Sequence, residues 1–182
     1  HTRFRNVTGV QTCALPIYWR AADAVHPLDV ASAARELGPD YVLLLRGHRF
    51  HNPAGDGAGA TRFLDVTEYP EINDLILAAD AAVLDYSSLR FDFALTNRPM
   101  VFLVPDLDTY VGGVRGFLYD YGPTAPGPHV DTAEQVVDLL RDLDGLQRRY
   151  ADEVAAFHAR FSRFMDGRAA ERVAAAFFGT ES

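Results

Sequence analysis

Most side chains that can do chemistry follow short apolar segments of this sequence, at the points where those segments end. Arg46-Gly47-His48 follows one such segment, Thr67-Glu68 follows the next, and Asp85-Tyr86-Ser87-Ser88 follows the third. Asp106 comes after a fourth. Two hydroxyls at the start of a helix can cap it, or can bind a phosphate together with the free backbone N–H groups. These residue types therefore predict an anion site that includes the two serines.

The two serines also have other interpretations. Either of them can simply cap its own helix. One of them can instead be a hydrolase nucleophile, but that turn needs glycines two positions before and after the serine. The residues at those positions are Asp85, Tyr86, Leu89 and Arg90. The sequence therefore disfavours a hydrolase and leaves capping and phosphate binding open.

His48 lies beside a glycine and close to two arginines, where a hydrogen-bond donor or a cation can meet a diphosphate. A structural role for this histidine is equally open. The many carboxylates show no metal-ligand spacing, so no metal site is predicted. Neither GxGxxG nor a Walker sequence is present, which disfavours NAD and ATP chemistry. We expect no cofactor.

The order of the apolar segments indicates the fold. Apolar runs bounded by breakers predict strands at 41–45, 63–66, 81–84 and 99–104, and helical spacing predicts helices at 27–37, 72–79 and 89–95. Strands that alternate with helices form right-handed crossovers and a parallel sheet covered on both faces. We therefore predict a doubly wound α/β domain. Residues 49–62 are expected to form a loop, and the pattern beyond Pro128 is wholly helical, at 133–143, 146–161 and 168–178.

In such a sheet, ligands bind outside the carboxyl ends of the strands. The groups that follow the apolar segments should therefore lie along one edge and face the same ligand. Asp85 is part of the group that includes the two serines, and Asp106 follows the next strand. This placement favours a functional role for these side chains.

The composition excludes several classes of protein. The 182 residues suffice for one domain, and the net charge of −8 disfavours a nucleic-acid surface because phosphate backbones require clustered positive charge. All 17 basic residues are arginine. No apolar run approaches the ~20 residues needed to cross a bilayer. The single cysteine, Cys13, excludes a disulfide within the chain, and a reducing cytoplasm fits this composition.

The first 17 residues have a different origin in our interpretation. The stretch from Val7 to Ile17 is similar to the translation of a common sequencing-library adapter joined to a truncated reading frame. Such scars are excluded from fold reasoning. We therefore divide the chain into a non-native segment, 1–17, which we expect to pack poorly, and a nucleotide-binding domain, 18–182. A natural N-terminal strand is the alternative.

The ordered motifs resemble those of the CDP-glycerol glycerophosphotransferase family of teichoic acid polymerases and primases. The similarity extends from Trp19 to Phe178, and several motifs in order are more specific than any one of them. They are Leu45-Arg46-Gly47-His48, Asp65 to Leu75, Leu84-Asp85-Tyr86-Ser87-Ser88, Phe91-Asp92-Phe93-Ala94, Arg98-Pro99, Arg115-Gly116-Phe117, Ala125-Pro126-Gly127-Pro128 and Asp166 to Val173.

The resemblance implies a Rossmann-like domain that is the C-terminal, donor-binding half of a GT-B fold. His48 would contact the donor diphosphate and help CMP to depart. Further diphosphate contacts would come from Arg46, Gly47, Ser87, Ser88 and Arg115. The nucleoside would lie near Thr67, Glu68, Tyr69, Pro70 and Asp85. An acceptor hydroxyl would then attack the β-phosphate of CDP-glycerol, with positioning and electrostatic stabilisation providing most of the rate.

The resemblance also implies partners. The donor is CDP-glycerol or a similar CDP-polyol, and the acceptor is a lipid-linked polyol-phosphate chain. The family's second histidine, the base that activates the acceptor, belongs to an N-terminal GT-B domain that this sequence does not include. We therefore expect donor binding without turnover by this chain alone. The full enzyme is expected to be cytoplasmic and peripheral at the inner face of the cell membrane.

Two other functions remain open at this point. A related GT-B glycosyltransferase or sugar-nucleotide epimerase would share the sheet edge and use another nucleotide, so a preference for UDP over CDP would identify it. A noncatalytic α/β module would bind a partner through its helical tail, with His48 and the serines purely structural. Failure to bind any nucleotide would favour that module.

Overall fold

The computed structural model describes residues 28–46, 63–112 and 117–179, and the backbone of residues 5–10. Within these residues the strands are β1 (Arg5–Val10), β2 (Tyr41–Arg46), β3 (Phe63–Asp65), β4 (Ala81–Leu84), β5 (Met100–Leu103) and β6 (His129–Val130). They form one sheet in the order β3-β2-β1-β4-β5-β6, and every neighbouring pair is parallel. This is the strand order of a doubly wound, Rossmann-type sheet, which confirms the predicted fold class.

Helices cover both faces of the sheet. They are α1 (Val30–Leu37), α2 (Ile72–Ala78), α3 (Leu89–Ala94), α4 (Leu107–Gly112), α5 (Ala133–Leu140), α6 (Leu143–Arg149), α7 (Ala151–Phe161) and α8 (Ala169–Phe178), with a 3₁₀ turn at Gly122–Thr124. Buried residues of α1, α5 and α6 form the core on one face. Those of α2, α3 and α7 form the core on the other.

The central strands divide their side chains between these two cores. In β5, Val101 belongs to the core beneath α1 and α5, whereas Met100 and Phe102 belong to the core beneath α3 and α7. In β4, Val83 and Leu84 divide in the same way. Successive strand residues point to opposite faces, so a strand buried on both faces is apolar throughout. This is why the runs that form β4 and β5, whose residues are all buried, could be recognised from the sequence.

Several helix ends are set by local side-chain bonds. Asp29 accepts a hydrogen bond from the Ser32 backbone N–H at 3.0 Å and begins α1, and Gly38 ends this helix with a φ of 83°. Thr132 and Gln135 form a capping box at the start of α5. The side chains at the helix starts accept hydrogen bonds from backbone N–H groups that have no partner within the helix. The glycine at the helix end adopts the positive φ that other residues disfavour.

We expected residues 1–17 to pack poorly, and this prediction was wrong for residues 5–10. Arg5–Val10 forms β1, which pairs with β2 over six residue pairs, Arg5 with Tyr41 through Val10 with Arg46. It also pairs with β4. The physical reason is that β2 and β4 each present an inner edge of unpaired backbone groups, and a strand between them satisfies both edges.

The sequence pattern predicted a wholly helical tail beyond Pro128, and this prediction was wrong. His129 and Val130 form the edge strand β6, which pairs with Phe102 and Leu103 of β5. The predicted helices at 133–143 and 146–161 are also divided differently. The Asp142 carboxylate accepts from the Gly145 backbone N–H at 2.9 Å, so a new helix, α6, begins there. Tyr150 then separates α6 from α7.

Candidate functional site

Arg46 at the end of β2 and the groups that follow β3, β4 and β5 lie along one edge of the sheet, since all strands are parallel. In the strand order, β2 and β3 stand on one side of β1, and β4 and β5 on the other. The order of the strands reverses direction between β1 and β4, which is where open α/β sheets have their ligand crevice. The candidate site is therefore the crevice beside the carboxyl ends of β1 and β4.

One side of this crevice is built around Arg46, the last residue of β2. Its guanidinium donates to the backbone carbonyl of Tyr69 at 2.6 Å, which ties the end of β2 to the turn after β3. Asp65 holds the start of that turn by accepting from the Thr67 backbone N–H at 2.9 Å. The hydroxyl of Tyr69 donates to Asp74 at 3.0 Å. Glu68, Tyr69 and Pro70 are exposed, so this turn presents side chains to a ligand.

The other side is the turn between β4 and α3. Asp85 is only 6% exposed, and its carboxylate accepts a hydrogen bond from the Ser87 backbone N–H at 2.8 Å. Burial raises the pKa of Asp85 to about 7, although this hydrogen bond and the nearby Arg90 favour the charged form. Asp85 therefore supports the turn from within and titrates near neutral pH.

The structure separates the two serines of the predicted phosphate site. Ser87 is 6% exposed, and its Oγ accepts from the Leu89 backbone N–H at 3.1 Å, so this hydroxyl caps the start of α3. Ser88 is exposed, and its side chain makes no capping hydrogen bond. The sequence left capping and ligand access open for both residues. In the structure Ser87 caps the helix, and Ser88 is accessible to a ligand.

Arg90 holds the same turn from below. It is 6% exposed, and its Nη1 donates to the carbonyl oxygens of Tyr86 at 3.1 Å and Ser87 at 2.7 Å. The guanidinium lies 5.2 Å from the centre of the Tyr121 ring. Burial lowers the pKa of Arg90. A cation in this position fixes two carbonyl groups that would otherwise be free to turn toward an anionic ligand.

An aromatic cluster of Tyr86, Tyr110, Phe117 and Tyr121 packs against this turn. The rings of Tyr86 and Tyr110 stack with their centres 3.9 Å apart, and Phe117 lies 6.0 Å from Tyr86. The Tyr121 hydroxyl donates to the backbone carbonyl of Asp85 at 2.8 Å. The Tyr86 hydroxyl donates to Asp106 at 2.5 Å. Asp106, which the sequence placed at this edge, is thus joined to the turn that carries the serines.

Three of the predicted site residues, His48, Gly47 and Arg115, lie outside the described residues, as does the loop predicted at 49–62. The contributions of Arg90 and Tyr121 were missed by the sequence reasoning. For Arg90, the available signal was its place between Leu89 and Phe91 in an apolar helix, where a charged residue requires nearby partners. For Tyr121 no local pattern indicates the long-range bond to Asp85.

No group of three or more His, Cys, Asp or Glu residues within the described ranges is placed to hold a metal ion. Among the helices in these ranges, none combines the length and apolar character required to cross a membrane.

The fold defines a Rossmann-like domain, and comparison with known proteins defines its family. The sequence model of the family described as CDP-Glycerol:Poly(glycerophosphate) glycerophosphotransferase matches residues 16–179. The chain belongs to this family. The match begins after β1, so β1 precedes the matched residues.

Individual relatives agree with this assignment. The chain is 35% identical over 147 residues to a teichoic acid poly(glycerol phosphate) polymerase of Staphylococcus epidermidis, a match that covers 80% of this chain and 20% of the relative. It is 34% identical over 168 residues to a teichoic acid glycerol-phosphate transferase of Staphylococcus aureus, covering 88% of this chain and 43% of the relative. The chain therefore spans less than half the length of either relative.

A solved structure has the same fold. The wall teichoic acid polymerase TagF superposes with a TM-score of 0.81 at 30% sequence identity, and the match covers 95% of this chain and 42% of that chain. The resemblance inferred from the ordered motifs is thereby confirmed.

Proposed function

We propose that this chain is the donor-binding part of an enzyme that transfers glycerol phosphate, or a related polyol phosphate, from a CDP-activated donor to a polymer. The acceptor is the hydroxyl end of a lipid-linked, teichoic acid-type chain. The observation that carries this proposal is the position of the family-matched motifs along one sheet edge, on both sides of the crevice beside β1 and β4. No cofactor is required in this proposal.

The donor lies across the crevice, with its nucleoside toward β3 and its diphosphate toward β4. The exposed turn from Thr67 to Pro70 contacts ribose and cytosine. Ser88 reaches a phosphate oxygen, while Ser87 and Asp85 shape the turn that carries it. Neighbouring strands are about 4.8 Å apart, so β2 and β4 stand about 10 Å apart on either side of β1. A nucleoside diphosphate can span this gap.

His48 is the proposed catalytic residue, because it follows Arg46, the last residue of β2, by two positions in the sequence. The acceptor oxygen forms a bond to the β-phosphorus, and the bond from that phosphorus to the bridging oxygen breaks. CMP leaves with the electron pair, and His48 stabilises the negative charge that develops on it. Arg46, Gly47 and Arg115 complete the anion site in this proposal.

An N-terminal domain is the proposed partner of this chain and the source of the base that activates the acceptor hydroxyl. The helix α8 supports this partner, since residues 163–179 are exposed along their whole length. Val173, Phe177 and Phe178 are 55%, 79% and 84% exposed. A short amphipathic helix depends on packing for its stability, so α8 requires a surface that the described residues do not offer. The complete enzyme acts at the inner face of the cell membrane as a peripheral protein in this proposal.

Calorimetric titration of the 182-residue chain with CDP-glycerol tests the donor site. His48→Ala is expected to weaken binding by about tenfold or more, the loss typical of one charged hydrogen-bonding partner of a phosphate. His158→Gln is the matched control, because His158 lies on α7 and bonds to the Ala94 carbonyl at the far end of α3. Equal affinity in wild type and His48→Ala would remove His48 from the site.

A transfer assay tests the part assigned to the proposed N-terminal domain. Incubation of the chain with CDP-glycerol and a lipid-linked acceptor should release no CMP above the background without enzyme, because the proposed base belongs to that domain. Sustained, acceptor-dependent CMP release by the chain alone would show that it contains a complete active site.

A further inference from the structure

Tyr86 lies at the centre of the turn that joins β4 to α3, between Asp85 and the two serines. Its hydroxyl donates a hydrogen bond to Asp106 at 2.5 Å, across the gap from β4 to β5. Burial and then this hydrogen bond raise the pKa of Tyr86. The phenol therefore stays protonated, and the bond to Asp106 persists, throughout the neutral range.

The ring of Tyr86 is fixed as firmly as its hydroxyl. It stacks on Tyr110 of α4 with a centre-to-centre distance of 3.9 Å and an interplanar angle of 18°. Tyr121 meets it edge-on at 5.6 Å. The backbone at Tyr86 is held separately, since its carbonyl accepts from Arg90. Hydroxyl, ring and carbonyl of this one residue are thus bound to three different elements.

We propose that Tyr86 is a positioning residue of the donor site, and that its bond to Asp106 and its stack on Tyr110 hold Ser88 at the position where it meets the donor diphosphate. This inference rests on the proposed function and adds to it a pair of residues, Tyr86 and Asp106, that do not contact the donor.

The geometry gives the physical reason. Only Ser87 separates Tyr86 from Ser88, and the backbone of Ser88 is already helical, with φ −67° and ψ −10°. A shift of the Tyr86 backbone, which the contacts of its hydroxyl and ring oppose, would therefore displace Ser88 with it. Small misplacements of a contacting group cost affinity and rate, and a turn that is fixed before binding has less entropy to lose. A rigid turn thus binds the diphosphate more tightly than a mobile one.

A double-mutant cycle separates positioning from ordinary packing. Affinity for CDP-glycerol is measured by calorimetry in the 182-residue chain for wild type, Tyr86→Phe, Ser88→Ala and the double variant. Tyr86→Phe keeps the ring and loses only the hydroxyl, and it should weaken binding about tenfold in the wild-type background. Once Ser88 is alanine, the same substitution should weaken binding by less than about twofold, because the positioned hydroxyl is gone.

Three further variants support the cycle. Tyr41→Phe is the matched control, since it removes a buried phenol that donates to the Leu140 carbonyl at 2.9 Å, at the amino end of β2. It should lower the melting temperature and leave the affinity unchanged. Asp106→Ala removes the acceptor from an exposed position without altering the core, and should reproduce the loss seen in Tyr86→Phe. Asp106→Asn, which keeps an acceptor oxygen, should restore most of the affinity.

The outcomes are distinct. Unchanged affinity in both Tyr86→Phe and Asp106→Ala would overturn the positioning role and leave the donor site standing. An equal loss in the presence and absence of the Ser88 hydroxyl would also overturn it, because the two residues would then act independently. If the wild-type chain is folded and binds no CDP-glycerol, the proposed function fails, and this inference fails with it.

Discussion

The carboxylate of Asp85 accepts a hydrogen bond from the backbone N–H of Ser87 at 2.8 Å, inside a turn where Asp85 is 6% exposed. The charged form of Asp85 is favoured by that bond and disfavoured by burial, and burial is the larger effect. The turn that carries the proposed phosphate contact is therefore built around a carboxyl group that exchanges its proton near neutral pH.

Stability should depend on pH through this group. The pKa of Asp85 rises from 3.8 to about 7 on folding, so the folded chain binds more protons than the unfolded chain between these values. Stability contributed by the protonated carboxyl is thus present at low pH and lost as the pH rises toward 7 and above. Asp85→Asn does not titrate, and it should gain on the order of 2–4 kcal/mol relative to wild type between about pH 4 and pH 8.

Urea unfolding of wild type and Asp85→Asn across that range measures the difference. Asn retains an oxygen that can accept from Ser87, so the comparison isolates the charge. A stability difference that stays constant from pH 4 to pH 8 would show that Asp85 has an ordinary pKa.

The two serines should give opposite results when each is replaced by alanine. Ser87→Ala removes the cap on Leu89 and should lower the free energy of unfolding by about 1 kcal/mol. Ser88→Ala should leave stability within about 0.5 kcal/mol because its side chain is exposed. Its affinity for CDP-glycerol should nevertheless fall about tenfold. Thermal unfolding measures the stability of both variants, and calorimetry on the same samples measures their affinity. If both variants bind CDP-glycerol as tightly as wild type, neither serine contacts the phosphate.

Removal of α8 should not destabilise the domain. Every residue from 163 to 179 is exposed, so a chain that ends at Ser162 loses no buried side chain of the described residues. Its melting temperature should match that of the full chain within about 2 °C. Binding of a hydrophobic dye should fall, because the exposed Phe177 and Phe178 are removed. A large drop in melting temperature would mean that α8 packs on this domain rather than on the proposed N-terminal domain.

Removal of β1 should have the reverse effect. A chain that begins at Trp19 lacks the strand between β2 and β4 and leaves two inner edges unpaired. We expect loss of the cooperative thermal transition, because the sheet is divided into two parts. A chain from Trp19 that unfolds as cooperatively as the full chain would show that β1 is dispensable.

The origin of residues 1–17 is a separate question. We propose that they are a non-native, adapter-derived segment, so that the native sequence of the domain comprises residues 18–182 and the adapter-derived Arg5–Val10 occupies the place between β2 and β4. The family match that begins at residue 16 supports this proposal. Direct sequencing of the source DNA across the codons for residues 1–25 tests it. An uninterrupted native reading frame that encodes Val7 to Ile17 would contradict it.

The sequence was sufficient for the strongly apolar strands. β2, β4 and β5 are continuous apolar runs, and their order with the helices leads directly to a parallel sheet. It was insufficient for β1, whose residues Arg5–Val10 carry no apolar run, and for β6, which has only two residues. Both are strands because neighbouring edges require pairing, which is a tertiary effect.

The same limit applies to the site. The carboxyl-end rule placed Arg46, Asp85 and Asp106 at one edge, because it depends only on strand direction. Which serine caps and which is exposed depends on the exact turn geometry. The bond from Tyr86 to Asp106 joins residues 20 positions apart, and side-chain pairs at such separation leave no periodic signal.

The most direct test of the central claim is the nucleotide preference of the 182-residue chain, measured by calorimetric titration with CDP-glycerol, CDP, UDP and ADP. We expect CDP-glycerol and CDP to bind at least about tenfold more tightly than UDP or ADP, since cytosine is recognised by hydrogen bonds that the other bases cannot make. A folded chain that prefers UDP, or that binds the four ligands equally or not at all, would contradict it.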